Sequence, residues 1–296
     1  MNSITSRKAV FDQQSIWGRK WWYRFRELPE AFPTARITNQ IQSLEKRYAE
    51  LCRVWNPEVN SEWICRIYLS AKMVLAATIQ INSLKHAEKT NIRVVGPYLR
   101  YYSIFTLLRA IVFTIPEHRW NNGSLATLSH KKVLALSHDC IRCYDREWAA
   151  KLFNTVTLLR HQRELISYWH PSSGDTEFSF SEDLIKLATI LAEIAQFNSE
   201  VLERAVLKKA DRTSFVFLDE YAEGLSQTEL VGHMHVDWDD AYRVDYLARK
   251  YPAPTNIAHT ITEGHVDDIC IAWGGKEPTE SSFDPDENFS VIFDMP

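Results

Sequence analysis

The feature that most constrains the fold is a series of long stretches with apolar residues at helical spacing. The longest runs from residue 61 to residue 89, SEWICRIYLSAKMVLAATIQINSLKHAEK, and contains neither Pro nor Gly. Its apolar positions recur every three or four residues, and Ser61 is suited to cap its first turn. Gly and Pro number only 9 and 11 in 296 residues, so few positions interrupt helices. We expect a mainly α protein.

Four further stretches share this pattern: residues 98–115, 129–142, 146–169 and 181–209. The stretch 98–115 is apolar nearly all round and is followed by Pro116, as expected for a buried helix. The last stretch begins with Ser181, which we expect to cap it. Four to five long antiparallel helices predict an up-and-down helical bundle.

Charge and residue composition divide the chain into three segments: residues 1–53, 54–210 and 211–296. Lys and Arg number 10 against 5 Asp and Glu in the first segment, and 19 against 15 in the second. The third has 5 against 18. Its β-branched and aromatic runs TSFVFLDEY, DDICIAW and FSVIFDM predict strands. We therefore expect a basic aromatic N-terminal segment, a helical bundle, and a small, acidic C-terminal α+β appendage.

The N-terminal stretch IWGRKWWYRFRE interleaves cations with aromatic rings. Rings that stack on bases and cations that neutralise phosphates are typical of RNA-binding surfaces. Arg19, Lys20 and Arg24 are therefore candidate RNA-binding residues. The alternative, which we favour for the rings, is one face of a helix packed on the bundle, with the cations outside.

Cysteine usage and hydropathy indicate the compartment. The chain has five cysteines, an odd number without the spacing of a secreted scaffold, which predicts reduced thiols. Cys140 and Cys143 form a lone C-x-x-C in a predicted helix, where we expect both to pack in the core. No leader-like segment and no apolar run of about 18 residues is present. We expect a cytoplasmic protein that has no membrane partner.

The stretch RELISYWHP places Arg163 and His170 seven positions apart. If residues 146–169 form one helix, seven residues advance it by about 700°, so both side chains lie within about 20° of one line. Pro171 disfavours helical geometry at His170 and predicts that His170 ends the helix, where unpaired carbonyls favour its protonated form. A titrating imidazole near a permanent cation suits chemistry on a phosphodiester.

The region 61–208 resembles the HEPN superfamily, helical bundles found in prokaryotic toxins, CRISPR-associated ribonucleases and other anti-phage proteins. The segment YYSIFTLLRA, residues 101–110, is similar to the tyrosine-pair helix of many members, and RELISYWH fits the motif of an arginine, four to six residues, and a histidine. The resemblance covers about half of the chain.

The resemblance implies RNA cleavage that needs no metal and no cofactor, at a cleft between two copies of the chain. Arg163 and His170 would be catalytic, with the arginine stabilising the phosphorane and the histidine acting on the 2'-OH or the leaving oxygen. Arg160 is expected to bind RNA. Four residues would support the pair: Glu164, Tyr168, Tyr101 and Tyr102. Position 164 is Glu where catalytic members commonly have a small polar residue such as Asn.

Two alternatives remain at this point. RELISY also matches a non-catalytic HEPN pattern in which Arg163 and Tyr168 are structural, which indicates an interaction module for a partner protein or nucleotide. HMHVDW places His233, His235 and Asp237 on one side of a strand, as metal ligands lie. Three distant residues could complete such a site, although we expect them in exposed loops: His259, His265 and Cys270.

The acidic C-terminal segment also suggests a regulatory hypothesis. A region with an excess of carboxylates is suited to cover the basic surface that RNA would use, or to bind a regulatory protein or nucleic-acid partner. We assign this role to residues 211–296, including the acidic stretch DPDE at 284–287.

Overall fold

The computed structural model describes residues 14–121, 123–169, 183–230, 232–262, 269, 272–274 and 288–293. The helices are α1 (Leu28–Ala31), α2 (Thr34–Cys52), α3 (Pro57–Lys89), α4 (Gly96–Phe113), α5 (His130–Arg142), α6 (Arg146–Trp169), α7 (Leu184–Lys209), α8 (Asp219–Ser226), α9 (Trp238–Lys250) and α10 (Ile257–Ile261). The strands form two antiparallel pairs, β1 (Gln14–Ile16) with β2 (Arg19–Trp21) and β3 (Gln227–Leu230) with β4 (His233–Val236). The expected mainly α fold is confirmed.

The five predicted helices correspond to α3 to α7. Helix α3 begins earlier than expected because Asn56 caps it, its side chain accepting a hydrogen bond from Val59 N at 2.9 Å. Ser61 lies inside the helix and donates to the carbonyl of Pro57 instead. Asp183 caps α7 by accepting from the amides of the first turn. Ser181 lies outside the described residues.

Helix α4 is the central helix, and it packs against α3, α5, α6 and α7. Most of its residues are buried, which confirms the prediction of a buried helix made from its apolar residues on nearly all sides. Helix α4 ends at Phe113, and the buried guanidinium of Arg66 donates there to the carbonyls of Phe113, Ile115 and His118. These carbonyls have no partner within the helix, so the cation satisfies acceptors that the core would otherwise leave unpaired.

The N-terminal aromatic stretch is a β-hairpin followed by extended chain, so the expected helix is wrong. Trp17 and Gly18 form the two-residue turn, both at positive φ. Beyond it, Trp21, Tyr23 and Phe25 are buried while the alternate residues are not. An alternation of two positions is the period of extended chain. Packing of the rings on the bundle, with Lys20 exposed, is as expected.

The C-terminal region contributes to the same apolar core as the bundle, through residues such as Val244, Leu247 and Ile257. The strands lie elsewhere than expected. TSFVFLDEY, residues 213–221, overlaps a 3-10 turn, Arg212–Ser214, and includes the start of α8. Phe215 and Phe217 pack against the core and need no strand partner to be covered. The first three residues of FSVIFDM, Phe289–Val291, form another 3-10 turn, and most of DDICIAW lies outside the described residues.

Helix α3 is long and apolar enough to cross a membrane by length and composition. Within the described chain, 67% of its most apolar window is buried against other parts of the protein, which is what the core of a helical bundle requires. The four described cysteines are free thiols. Cys140 is buried as expected, whereas Cys143 is exposed, because it follows the last residue of α5.

Candidate functional site

Arg163 occupies a core-facing position of α6. The buried apolar residues Leu152, Val156, Leu159 and Ile166 recur at helical spacing along this helix, and Arg163 continues their stripe. The side chain therefore meets α4 rather than solvent. Its guanidinium carbon lies 5.4 Å from the ring centre of Tyr101 and 5.9 Å from that of Tyr102. The structure thus brings together Arg163 and the tyrosine pair.

The guanidinium of Arg163 has little competition from carboxylates. Its Nε is buried and has no hydrogen-bond partner among the described residues. Glu164 lies 3.7 Å from the guanidinium but accepts its hydrogen bond from Arg160, at 2.8 Å. The neighbouring Arg160 lowers the pKa of Glu164 and keeps it ionised. Arg163 therefore retains hydrogen-bond capacity for an anion.

His130, the first residue of α5, joins this cluster. Its Nδ1 lies 2.8 Å from the hydroxyl of Tyr101, and its ring stacks on Phe105 with centres 4.1 Å apart. Burial, followed by the positive charges of Arg163 and nearby arginines, lowers the pKa of His130. Burial raises the pKa of Tyr101, so its hydroxyl keeps its proton and can donate it to Nδ1. The site thus holds a neutral imidazole near pH 7.

Sequence reasoning missed His130. It is distant in sequence from both the tyrosine pair and Arg163, and no motif joins the three. The available signal was its place directly after Ser129, whose hydroxyl caps α5 by accepting from Lys132 N. As the first residue of α5, His130 lies at a helix end, and there it contacts Tyr101 and Phe105 of α4.

Tyr168, another predicted residue of the motif, lies in the last turn of α6. His170, the proposed partner of Arg163, lies outside the described residues. Tyr168 and Trp169 are 75% and 79% exposed. An exposed Tyr168 stabilises no part of the core of this chain.

The three N-terminal candidates are not part of this cluster. Arg19 makes an ion pair with Glu45 at 2.7 Å, while Lys20 and Arg24 are exposed. Their hairpin is fixed to α7, because the carboxylate of Glu200 accepts from the backbone N–H of Trp22 and Tyr23. Arg163 packs against α4 instead.

The histidines of the alternative metal motif are dispersed. His233 and His235 are exposed on β4, whereas Asp237 caps α9 by accepting from Asp240 N. His259 is buried at 4% exposure, so its expected place in an exposed loop is wrong, and its Nδ1 lies 3.1 Å from Glu203. His265 and Cys270 lie outside the described residues. Within the described ranges, no three His, Cys, Asp or Glu side chains are grouped for metal binding.

Comparison with known proteins adds no relative. No family model matches the chain, and no curated protein or solved structure is significantly similar to it. The sequence motif of α6 and the cluster around Arg163 are therefore the basis for assigning a function.

Proposed function

We propose that this protein is a metal-independent endoribonuclease of the HEPN type, acting as a toxin or anti-phage defence effector. The observation that carries the proposal is the position of Arg163: a partly buried guanidinium against a tyrosine pair, with a buried Nε that has no partner in the described chain. Such a group is suited to bind a phosphodiester. The resemblance of RELISYWH and YYSIFTLLRA to HEPN motifs supports the same assignment.

The reaction follows from these groups. A base takes the proton of the 2'-OH, and the 2'-oxygen bonds to phosphorus. The bond between phosphorus and the 5'-oxygen then breaks, and an acid protonates the leaving oxygen. We assign these proton transfers to His170 and the charge on the phosphorane to Arg163. In the tautomer whose Nδ1 accepts from the Tyr101 hydroxyl, His130 contributes a further donor, Nε2–H.

A second copy of the chain would complete this site, since one arginine and one histidine are too few to bind and cleave a phosphodiester. An apolar strip on the outer face of α6 supports a homodimer. Leu158, Tyr168 and Trp169 are exposed there, beside an open groove of about 430 Å³. This groove includes Glu164, the neighbour of Arg163, so a copy bound on α6 would bring its own residues close to the cluster.

Cleavage of RNA by the purified full-length chain in EDTA tests the proposal. We expect 2',3'-cyclic phosphate and 5'-hydroxyl ends, with a loss of about a hundredfold or more in rate for Arg163→Ala and for His170→Ala. Arg249→Ala and His86→Ala, at exposed positions on α9 and α3, are the matched controls and should cleave as wild type does. Sedimentation measures the mass of the active species.

The catalytic assignment is wrong if EDTA abolishes cleavage or if His170→Ala cleaves as fast as wild type. If instead the wild-type chain cleaves no RNA at all, an interaction module for a protein or nucleotide is the better account, and one observation favours it. The contact of the Arg163 guanidinium with the rings of Tyr101 and Tyr102 also joins α6 to α4. Under that account Arg163→Ala lowers the melting temperature, and the wild-type chain cleaves no RNA.

A further inference from the structure

A second polar cleft, of about 650 Å³, lies at the opposite end of α6 from Arg163. It is lined by residues of α2, the end of α5 and the start of α6: Arg36, Asn39, Gln40, Ser43, Arg142, Cys143 and Arg146. Arg146 and Arg163 are separated along α6 by about 25 Å at the rise of an α-helix. The cleft is therefore distinct from the Arg163 cluster.

The lining of this cleft is cationic. Three arginines line it, and no Asp or Glu is among its lining residues. Arg142 has an exposed partner, Asp139, at 3.5 Å, whereas Arg36 and Arg146 make no ion pair within the described residues. The positive ends of the α2 and α6 dipoles add to this charge, and the C-terminus of α5 opposes part of it. The sum favours an anionic ligand.

Gln40 gives a second, independent sign of a ligand. The residue is 3% exposed, and its Nε2 is buried without a hydrogen-bond partner in the described chain. Buried amides are nearly always paired, and an unpaired one costs about 1–3 kcal/mol of stability. Gln40 lines the cleft between Asn39 and Ser43, so a rotation of its side chain would bring this unpaired donor to a bound acceptor.

We propose that this cleft binds a nucleotide through its phosphates. Guanidinium forks match phosphate oxygens, and the side-chain amides of Gln40 and Asn39 supply donors for a further phosphate oxygen or for a base carbonyl. A volume of about 650 Å³ lies within the usual range for small-molecule sites. The nucleotide is either free or one unit of an RNA chain. The proposal is independent of the ribonuclease assignment.

Anisotropy of a fluorescent ATP analogue, with unlabelled ATP and a ten-nucleotide RNA as competitors, tests this site on the full-length chain. The double variant Arg36→Ala/Arg146→Ala, at exposed positions, should lose at least about tenfold in ATP affinity. Gln40→Met should lose affinity by about fivefold or more while its melting temperature stays the same or rises, because the unpaired amide is gone. Arg249→Ala should bind as wild type does.

Each outcome decides the proposal. Competition by RNA that the same variants weaken identifies the nucleotide as a unit of RNA, and competition by ATP alone identifies a free nucleotide. Absence of ATP and RNA binding at millimolar concentration overturns the site. So does ATP binding that is lost in Arg163→Ala but retained in the double variant and in Gln40→Met, since the nucleotide would then occupy the Arg163 cluster.

Discussion

Glu193 is a buried carboxylate that receives three consecutive backbone N–H groups, those of Arg26, Glu27 and Leu28, at 2.7–3.1 Å. Burial raises the pKa of Glu193 to about 7, although these donors favour the ionised form. Glu193 therefore joins the N-terminal segment to α7 through these three hydrogen bonds. Because its carboxyl group is buried, its ionisation lowers the stability of the fold.

The pH dependence of stability should report this residue. The pKa of Glu193 in the folded protein lies above the ordinary value of 4.5. The protonated carboxyl group therefore contributes its full stabilisation below pH 4.5, and this contribution is lost as pH rises through about 7. Relative to Glu193→Gln, which does not titrate, the wild-type free energy of unfolding should fall by about 3 kcal/mol across this range. Urea denaturation at several pH values measures it, and parallel profiles would contradict the assignment.

The Arg163 cluster shows what residue patterns can predict about a site. Arg163 and the tyrosine pair came from motifs, and the core-facing stripe of α6 explains why they meet. His130 and the cleft around Gln40 could not be found in this way. Both depend on which helix ends lie together, and that is decided by packing between elements distant in sequence.

At the scale of elements, periodicity predicted the long helices well, because an apolar stripe needs many turns to be recognised. The short elements were harder. The hairpin of β1 and β2 has only three residues per strand, too few to show an alternation of period two, and the buried alternation of Trp21, Tyr23 and Phe25 extends into the chain that follows it. The C-terminal strands were misplaced because β-branched and aromatic residues at 213–221 cover the core of the bundle without pairing.

The hairpin turn offers a test with an internal control. Gly18 has φ +73°, a conformation that costs an L-residue about 1 kcal/mol, so Gly18→Ala should lower the free energy of unfolding by about that amount. Gly224 lies in α8, and a methyl group added there meets no atom within 4 Å. Gly224→Ala should therefore stabilise the protein by about 0.5–1 kcal/mol. Equal effects at the two positions would refute the turn assignment.

At the scale of the molecule, the C-terminal region cannot be removed to test its regulatory role. Ile257 N donates to Ser199 Oγ, and Ala258 N donates to Gln196 Oε1, so α10 is hydrogen-bonded to α7 within the core. A chain ending before Thr213 would leave these groups and the apolar face of α7 uncovered. The proposal that this acidic region limits RNA access therefore needs a test in the full-length chain.

Replacing the exposed carboxylates of α8 by amides is such a test. The triple variant Asp219→Asn/Glu220→Gln/Glu223→Gln removes three negative charges and leaves the core intact. If the region limits access, RNA affinity should rise by about threefold or more at low salt, and the gain should shrink at high salt because these charges are screened. An unchanged affinity at low salt would mean that the acidity does not act on RNA binding.

The attachment of the N-terminal hairpin to α7 also affects synthesis of the chain. The backbone of Trp22 bonds to Glu200, which lies 178 residues further along. At about 5–20 residues per second, a ribosome needs about 10–40 s to add those residues. During that interval Trp21, Tyr23 and Phe25 have no α7 surface to cover them. The nascent chain thus carries an aromatic segment that α7 does not cover until the residues around Glu200 have been added, a substrate for chaperones that the finished fold conceals.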